Sequence, residues 1–315
     1  MKCKRYPERN EGGNFMKSGA GAVKKLSERA TPYLFIGPAV ILIVLLAIVP
    51  LAYSVYISLL NYNLSLPNSL IRWTGLDNYT YMLTNGPFMK SIGWTLVFTF
   101  FTVLLNVTLG MILALILNNE KVSRQTKIFK SLFILPMMLA PVVSTTMWKI
   151  MFGAIYGPIN YLFESLGLQA VAWTGETLPA KIAVIIIDVW GATPFCMLIL
   201  IAALQTVPKD IYESASIDGA NRVKVFFKIT LPLTRNFIAL VVSLRVMDAL
   251  KIFDSIMILT DGGPGDSTET MGTMIYKTAF RYMNVGAGSA GAIIFFIIII
   301  FVTLIFMKLI RNDRQ

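Results

Sequence analysis

Residues Thr206 to Pro232 read TVPKDIYESASIDGANRVKVFFKITLP. They form the longest polar insertion between two apolar segments on the side that the charges mark as cytoplasmic. Pro208 suits the first turn of a helix, where its missing N–H costs nothing. Tyr212 to Ile217 continue that helix, and Asp218-Gly219 reads as a stop followed by a turn. A second short amphipathic helix fits Asn221 to Thr230. Val223, Phe226, Phe227 and Thr230 fall on one side of it, and Arg222, Lys224 and Lys228 fall largely on the other. Leu231-Pro232 is expected to reset the backbone before apolar sequence resumes.

The apolar sequence on either side sets the class. Hydrophobic residues make up 56% of 315, charged residues 14%, and histidine is absent; mean hydropathy is +0.67. A soluble chain of this length has no core large enough for so much apolar sequence. Several apolar runs reach the ~20 residues that span a bilayer. The expectation is an all-α polytopic membrane protein with six transmembrane helices. The spans run from Tyr33 to Leu60, Ser91 to Leu117, Ser131 to Phe152, Ile182 to Gln205, Asn236 to Leu259 and about Ala290 to Met307. Pro38 and Pro50 are tolerated in the first, because neighbouring helices satisfy freed carbonyls.

The net charge of +11 is distributed in a way that excludes a nucleic-acid face. Eight of 28 cationic residues lie in the first 30, and Lys121, Arg124, Lys127 and Lys130 lie in one short loop. Five more lie in the 206–235 loop, and three follow Met307. With six crossings these all fall on one side, which places both termini in the cytoplasm. Residues 1–32 form a basic cytoplasmic tail, 33–310 the transmembrane domain, and 311–315 a cytoplasmic C-terminus. Cys3 and Cys196 are expected in different environments, so no disulfide is expected. The first apolar run is too long for a signal-peptide core and is read as a retained anchor.

Three motifs carry a resemblance. Glu213-Ser214-Ala215, Gly219, Ile229, Leu231 and Pro232 resemble the EAA loop of membrane subunits of ATP-binding-cassette (ABC) importers, with Ser214 where that family has Ala. WTGLDNYTYML, Trp73 to Leu83, resembles the first external loop of sugar-type ABC permeases. LTDGGPG, Leu259 to Gly265, resembles the LTxGGP signature of maltose-type carbohydrate-uptake permeases. Together the likeness covers roughly residues 33 to 310. It implies that Glu213, Ser214, Ala215, Asp218, Gly219, Ile229, Leu231 and Pro232 belong to a coupling helix seated on a separate ATPase subunit. Gly262, Gly263 and Pro264 would form an external turn. It also implies a second homologous permease, two ATPase subunits that hold ATP and Mg, an extracytoplasmic solute-binding protein, and a prokaryotic inner-membrane location. Membrane lipid is a further partner; nucleic acid is not.

The fifth span is the most polar. Arg245, Asp248, Lys251 and Asp254 recur every three residues, so neighbours suit i,i+3 pairing. A charge facing lipid costs on the order of 2.5–3.5 kcal/mol by insertion scales, so these residues should face protein or a water-filled cavity. Asp188 in the fourth span has no local partner and is expected to reach Arg245 or Lys251. An ion-pair ladder and a polar pathway wall both fit. The maltose-type resemblance, carried by Trp190, Pro194 and Phe195, implies a substrate pathway at Asp188, Ala192, Phe195, Arg245, Asp248, Ala249, Lys251 and Ile252. Asp and Arg suit sugar hydroxyls, and Phe195 suits a ring face.

No GxxxxGK[ST] occurs, so ATP is hydrolysed elsewhere. The lack of histidine excludes HExxH zinc sites and Ser-His-Asp triads. Two separated cysteines make no thiolate site. No catalytic or metal-ligating residue and no cofactor bound by this chain is expected. The reading is a permease subunit moving a sugar or oligosaccharide inward. The alternative is a secondary transporter using the fifth-span charges as an ion relay.

Overall fold

A computed structural model describes residues 33, 35–67, 70–118 and 124–312 of the chain. The basic tail 1–32, Cys3, Lys121 and the side chains of Arg124, Lys127 and Lys130 lie outside the described residues. The chain divides into two compact units, residues 1–56 and 57–315. The first contains most of helix α1 (Phe35–Ser58). A π-helical turn at Val44–Ile48 interrupts α1, with the Val49 N–H donating to the Val44 carbonyl one residue before Pro50.

The second unit opens with a two-residue hairpin, β1 (Leu60–Asn61) against β2 (Arg72–Trp73), antiparallel with Leu60 opposite Trp73. Helix α2 (Asp77–Thr84) follows. Its Asn78 amide donates to the carbonyls of Ser58 and Leu60, both at 2.8 Å, which anchors α2 to the start of the hairpin. Helix α3 (Gly86–Leu117) starts five residues before the expected second span. Asn85 supplies the reason: its side chain caps the Phe88 N–H, and Pro87 sits in the first turn.

The expected third span is not one helix. Helix α4 (Arg124–Met138) and α5 (Pro141–Met151) meet at a bend of 102°. Pro141 occupies the first turn of α5 and holds Ala140 extended (ψ 139°), so the helix breaks there. Pro136, within α4, produces no break. Helix α6 (Pro158–Ser165) follows, and α7 (Thr177–Gln205) contains the expected fourth span with five extra residues at its start.

Helix α8 (Lys209–Ile217) and a continuous α9 (Arg222–Leu250) come next. The expected fifth span to Leu259 is corrected: α9 ends at Leu250, and a short α10 (Asp254–Leu259) follows a break at Lys251–Phe253. The freed Ile252 carbonyl accepts from Thr270 Oγ1 at 3.2 Å. The charge ladder therefore does not run along one helix. Helix α11 (Met271–Tyr276), a π turn at Lys277–Arg281, and α12 (Val285–Asn312) complete the chain. Among the described residues, five helices are long and apolar enough to cross a membrane, or six if α4–α5 counts as one bent span.

The core joins α3, α7 and α9. Phe98 and Val103 of α3 meet Ala183, Val184 and Ile187 of α7 and Val246, Ala249 and Leu250 of α9. Further along, Met111 and Ala114 meet Cys196, Met197, Leu200 and Val241. Gly110 permits this close approach, since a Cβ there would lie 2.7 Å from the Cys196 Cβ. A satellite cluster of Met82, Phe88, Met274 and Ala287 packs α2 and α11 onto the bundle.

Candidate functional site

The 206–232 loop folds as its sequence suggests as far as Asn221. Helix α8 ends in a Schellman motif: the Ala220 N–H donates to the Ala215 carbonyl at 3.0 Å, and the Gly219 N–H to the Ser216 carbonyl at 3.1 Å. Gly219 adopts φ +68°, which side-chain-bearing residues rarely adopt, although no atom crowds the position. Asn221 then caps the next helix through the Lys224 N–H at 2.8 Å. Of the residues expected to couple, Ala215 is buried, Ile229 and Leu231 are half-buried, and Glu213, Ser214, Asp218, Gly219 and Pro232 are exposed.

Leu231-Pro232 does not reset the backbone. Phe226–Thr230 forms a π turn that carries Arg222–Val225 directly into the rest of α9. The Leu231 N–H donates five residues back, to the Phe226 carbonyl. A proline has no N–H, and its ring clashes with the carbonyl four residues earlier; widening that turn accommodates both features. Tyr212 Oη lies 3.2 Å from Thr230 Oγ1, so α8 is tied to the π turn itself. The loop also exposes apolar side chains. Ile217 is 86% exposed, Val223 64% and Phe227 60%.

The second candidate site is a polar node inside the bundle. Arg245 Nη2 donates to both carboxylate oxygens of Asp188, at 2.7 and 2.9 Å. Asn106 Nδ2 donates to Asp188 Oδ1 at 3.2 Å, and Thr193 Oγ1 donates to Asn106 Oδ1 at 3.0 Å. The node thus links α3, α7 and α9, and among the described residues the buried Arg245 Nε has no partner. The two further pairs are long and wet: Arg245–Asp248 at 3.9 Å and Lys251–Asp248 at 3.7 Å, with Asp248 and Lys251 more than half exposed. Asp254 is exposed at the start of α10.

The expected pathway residues separate. Asp188, Ala192 and Phe195 follow one another at helical spacing on α7 and are half-buried, with Phe195 packed against the Met111–Val241 cluster. Ala249 is buried, and Ile252 packs against the other cluster. Sequence reading missed Asn106 and Thr193. The available signal was an amide in the middle of the apolar run from Ser91 to Leu117.

The Gly262–Gly265 turn, expected to be external, is built on charge that sequence reading also missed. Gly262 (φ +82°), Gly263, joined to Pro264 by a cis peptide, and Gly265 (φ +56°) fold over a buried Lys277–Glu269 ion pair. A Cβ on Gly262 would overlap the Glu269 carboxylate. Lys277 Nζ also donates to the Asp261 carbonyl at 2.7 Å, and Arg281 Nη1 to Asp261 Oδ2 at 2.7 Å. The hydrogen bond from Arg281 holds the Asp261 carboxyl below the usual carboxylate range, assisted by the nearby Lys277 charge.

Comparison with known proteins agrees with this architecture. Residues 106–314 match the family described as binding-protein-dependent transport system inner membrane component. The chain is 36% identical over 294 residues to the trehalose/maltose transport system permease protein MalF of Thermococcus litoralis, covering 92% of this chain and 97% of that protein. It is 33% identical to the sulfoquinovosyl glycerol transport system permease protein SmoG of Agrobacterium fabrum, covering 91% and 92%. A chain from the crystal structure of a bacterial ABC transporter involved in import of the acidic polysaccharide alginate superposes with a TM-score of 0.80 at 20% identity, over 93% of this chain and 100% of that one, a likeness of fold. A helical membrane bundle with an EAA-like loop, matched along most of its length by such proteins, belongs to the binding-protein-dependent transport system inner membrane components, and the chain is a transport permease subunit of an ABC importer.

Proposed function

We propose that this chain imports a neutral sugar or short oligosaccharide, as one of two permease subunits served by two ATPase subunits and an extracytoplasmic binding protein. ATP and Mg reside on the ATPase subunits. The named substrates of its relatives include neutral disaccharides and anionic sugars. The neutral class is favoured by the polar node, whose Asp188, Arg245, Asp248 and Lys251 sum to zero charge. Arg245 spends its charge on Asp188 and offers none to an anion. The exposed Asp248 and Lys251 are then the groups that meet sugar hydroxyls, and the buried pair sets the spacing of α7 and α9 behind them.

The observation that carries the coupling role is the surface of the loop. Glu213 and Ile217 stand four residues apart on α8 and are exposed, as are Val223 and Phe227 farther along the loop. One loop that exposes an acid together with aliphatic and aromatic side chains suits a protein partner better than water. The loop faces the cytoplasm, as do both termini, and ATP-driven movement of the ATPase pair passes through α8 and the π turn into α9.

Glu213→Lys tests this reading. In the reconstituted complex, uptake and the stimulation of ATP hydrolysis by loaded binding protein should each fall tenfold or more, with the subunit still assembled. A reversed charge on a covered contact leaves a buried ion unpaired. Normal stimulation and uptake in this variant would remove the coupling role.

A further inference from the structure

A cavity of about 590 Å³ opens between α3 and α7 at the end of the bundle that carries the external turn. Its two ends differ. Lys90 and Lys181 stand at one end, with Lys181 Nζ 4.8 Å from the centroid of the Trp94 ring. Among the described residues neither lysine is ion-paired, and Asp266 is the one acid in the lining. The Trp94 indole N–H is buried and has no acceptor among the described residues. The other end is apolar. Lys90, Trp94, Val97 and Phe101 follow one another along a single stripe of α3, and Ile185 lies one turn below Lys181 on α7.

We infer that this cavity holds one anionic phospholipid of the outer leaflet, its phosphate between Lys90 and Lys181 and an acyl chain along Val97 and Phe101. Eleven helical steps lead from Lys90 to Phe101, or about 16 Å of floor. A free phosphate or an anionic sugar would use the polar end and leave that floor empty. An acyl chain fills it. Val97 and Phe101 are each 46% exposed, which suits a wall shared with lipid. A tryptophan with a cation on its face is at home at headgroup depth. Two lysines against one aspartate favour an anionic headgroup over a zwitterionic one. The Gly265–Ser267 segment of the external turn lines the same cavity, so the bound lipid would brace the turn.

The assembled complex, stripped into a neutral detergent, is titrated with phosphatidylglycerol or phosphatidylcholine, and retained lipid is counted by native mass spectrometry. Phosphatidylglycerol should be retained about tenfold more tightly, given roughly one net cation at the site. Lys90→Gln/Lys181→Gln should bring the two lipids within about twofold while the complex stays assembled. Val97→Trp, which fills the floor and leaves both lysines in place, should weaken phosphatidylglycerol retention. Glycerol 1-phosphate, the headgroup without chains, should fail to displace it. Equal retention of the two lipids by the unaltered complex would overturn the proposal. So would displacement by glycerol 1-phosphate, which would mark a site for soluble anions, or an unchanged affinity in Val97→Trp.

Discussion

Arg245 has one close partner and one distant one, and the difference is measurable. Its guanidinium grips both oxygens of Asp188, whereas Asp248 stands 3.9 Å away and faces outward. Removing one member of a buried pair strands the other and costs about 3–5 kcal/mol; replacing both with apolar residues is often close to neutral. A long, exposed pair contributes at most about 1 kcal/mol. We therefore expect Asp188→Leu and Arg245→Leu each to lower the yield and thermal stability of the complex sharply. The double variant should recover much of the loss, and Asp248→Ala should be mild. Strictly additive losses in this cycle would show that the two residues are not coupled. The sequence left Asp188 a choice between Arg245 and Lys251. Lys251 drops out because α9 stops just before it, and the Ile252 carbonyl freed there is met by Thr270, a contact that no local pattern announces.

Two helices share one device. In α1 and again in α9 a five-residue π turn is followed by one residue and then by proline: Val44–Ile48 before Pro50, and Phe226–Thr230 before Pro232. The prolines were visible in the sequence, and their effect was misread as a break in the second case. The opposite error fell on Pro141, where the proline does start a new helix and the third span was read through it. The deciding difference is the residue before the proline, which stays helical at Leu231 (φ −61°, ψ −47°) and is extended at Ala140 (φ −60°, ψ 139°). Pro232→Ala restores an N–H to the helix and removes the ring. The turn should relax to ordinary α geometry, rotating the segment joined to Tyr212 by about 100° per residue of slip. Stimulated ATP hydrolysis should fall while assembly persists. Unchanged stimulation would show that Pro232 does not hold the turn in its widened form.

For the whole molecule, the bend in α4–α5 makes orientation a question of counting. If the bent pair crosses the membrane, the 206–221 loop lies on the side of the N-terminus; if it re-enters, the loop lies opposite. The five cations of the 206–235 loop favour the first. Single cysteines from Ser216→Cys and Ser165→Cys, both at exposed positions, in a background lacking Cys3 and Cys196, report this directly with a membrane-impermeant maleimide. Ser165→Cys should label on intact spheroplasts and Ser216→Cys only after lysis. Labelling of Ser216→Cys from outside would invert the topology. The number of apolar runs, their order and the three motifs were legible because bilayer thickness and backbone hydrogen bonding leave few alternatives. The Asn106–Asp188 contact and the Lys277–Glu269 pair were not, because each joins residues on separate elements that only packing brings together.

The Asp188–Arg245 pair also has a direction in time. A chain made from its N-terminus releases the acid 57 residues before the base. When α7 enters the bilayer, Asn106 on α3 is already there to meet the carboxylate. Helix α9, the least apolar of the five single-helix candidate spans among the described residues, arrives next and brings Arg245 to an acid already waiting. Biogenesis in this order leaves the lone carboxylate a neutral hydrogen-bond donor to shelter against, and never obliges the guanidinium to enter lipid before its counter-ion.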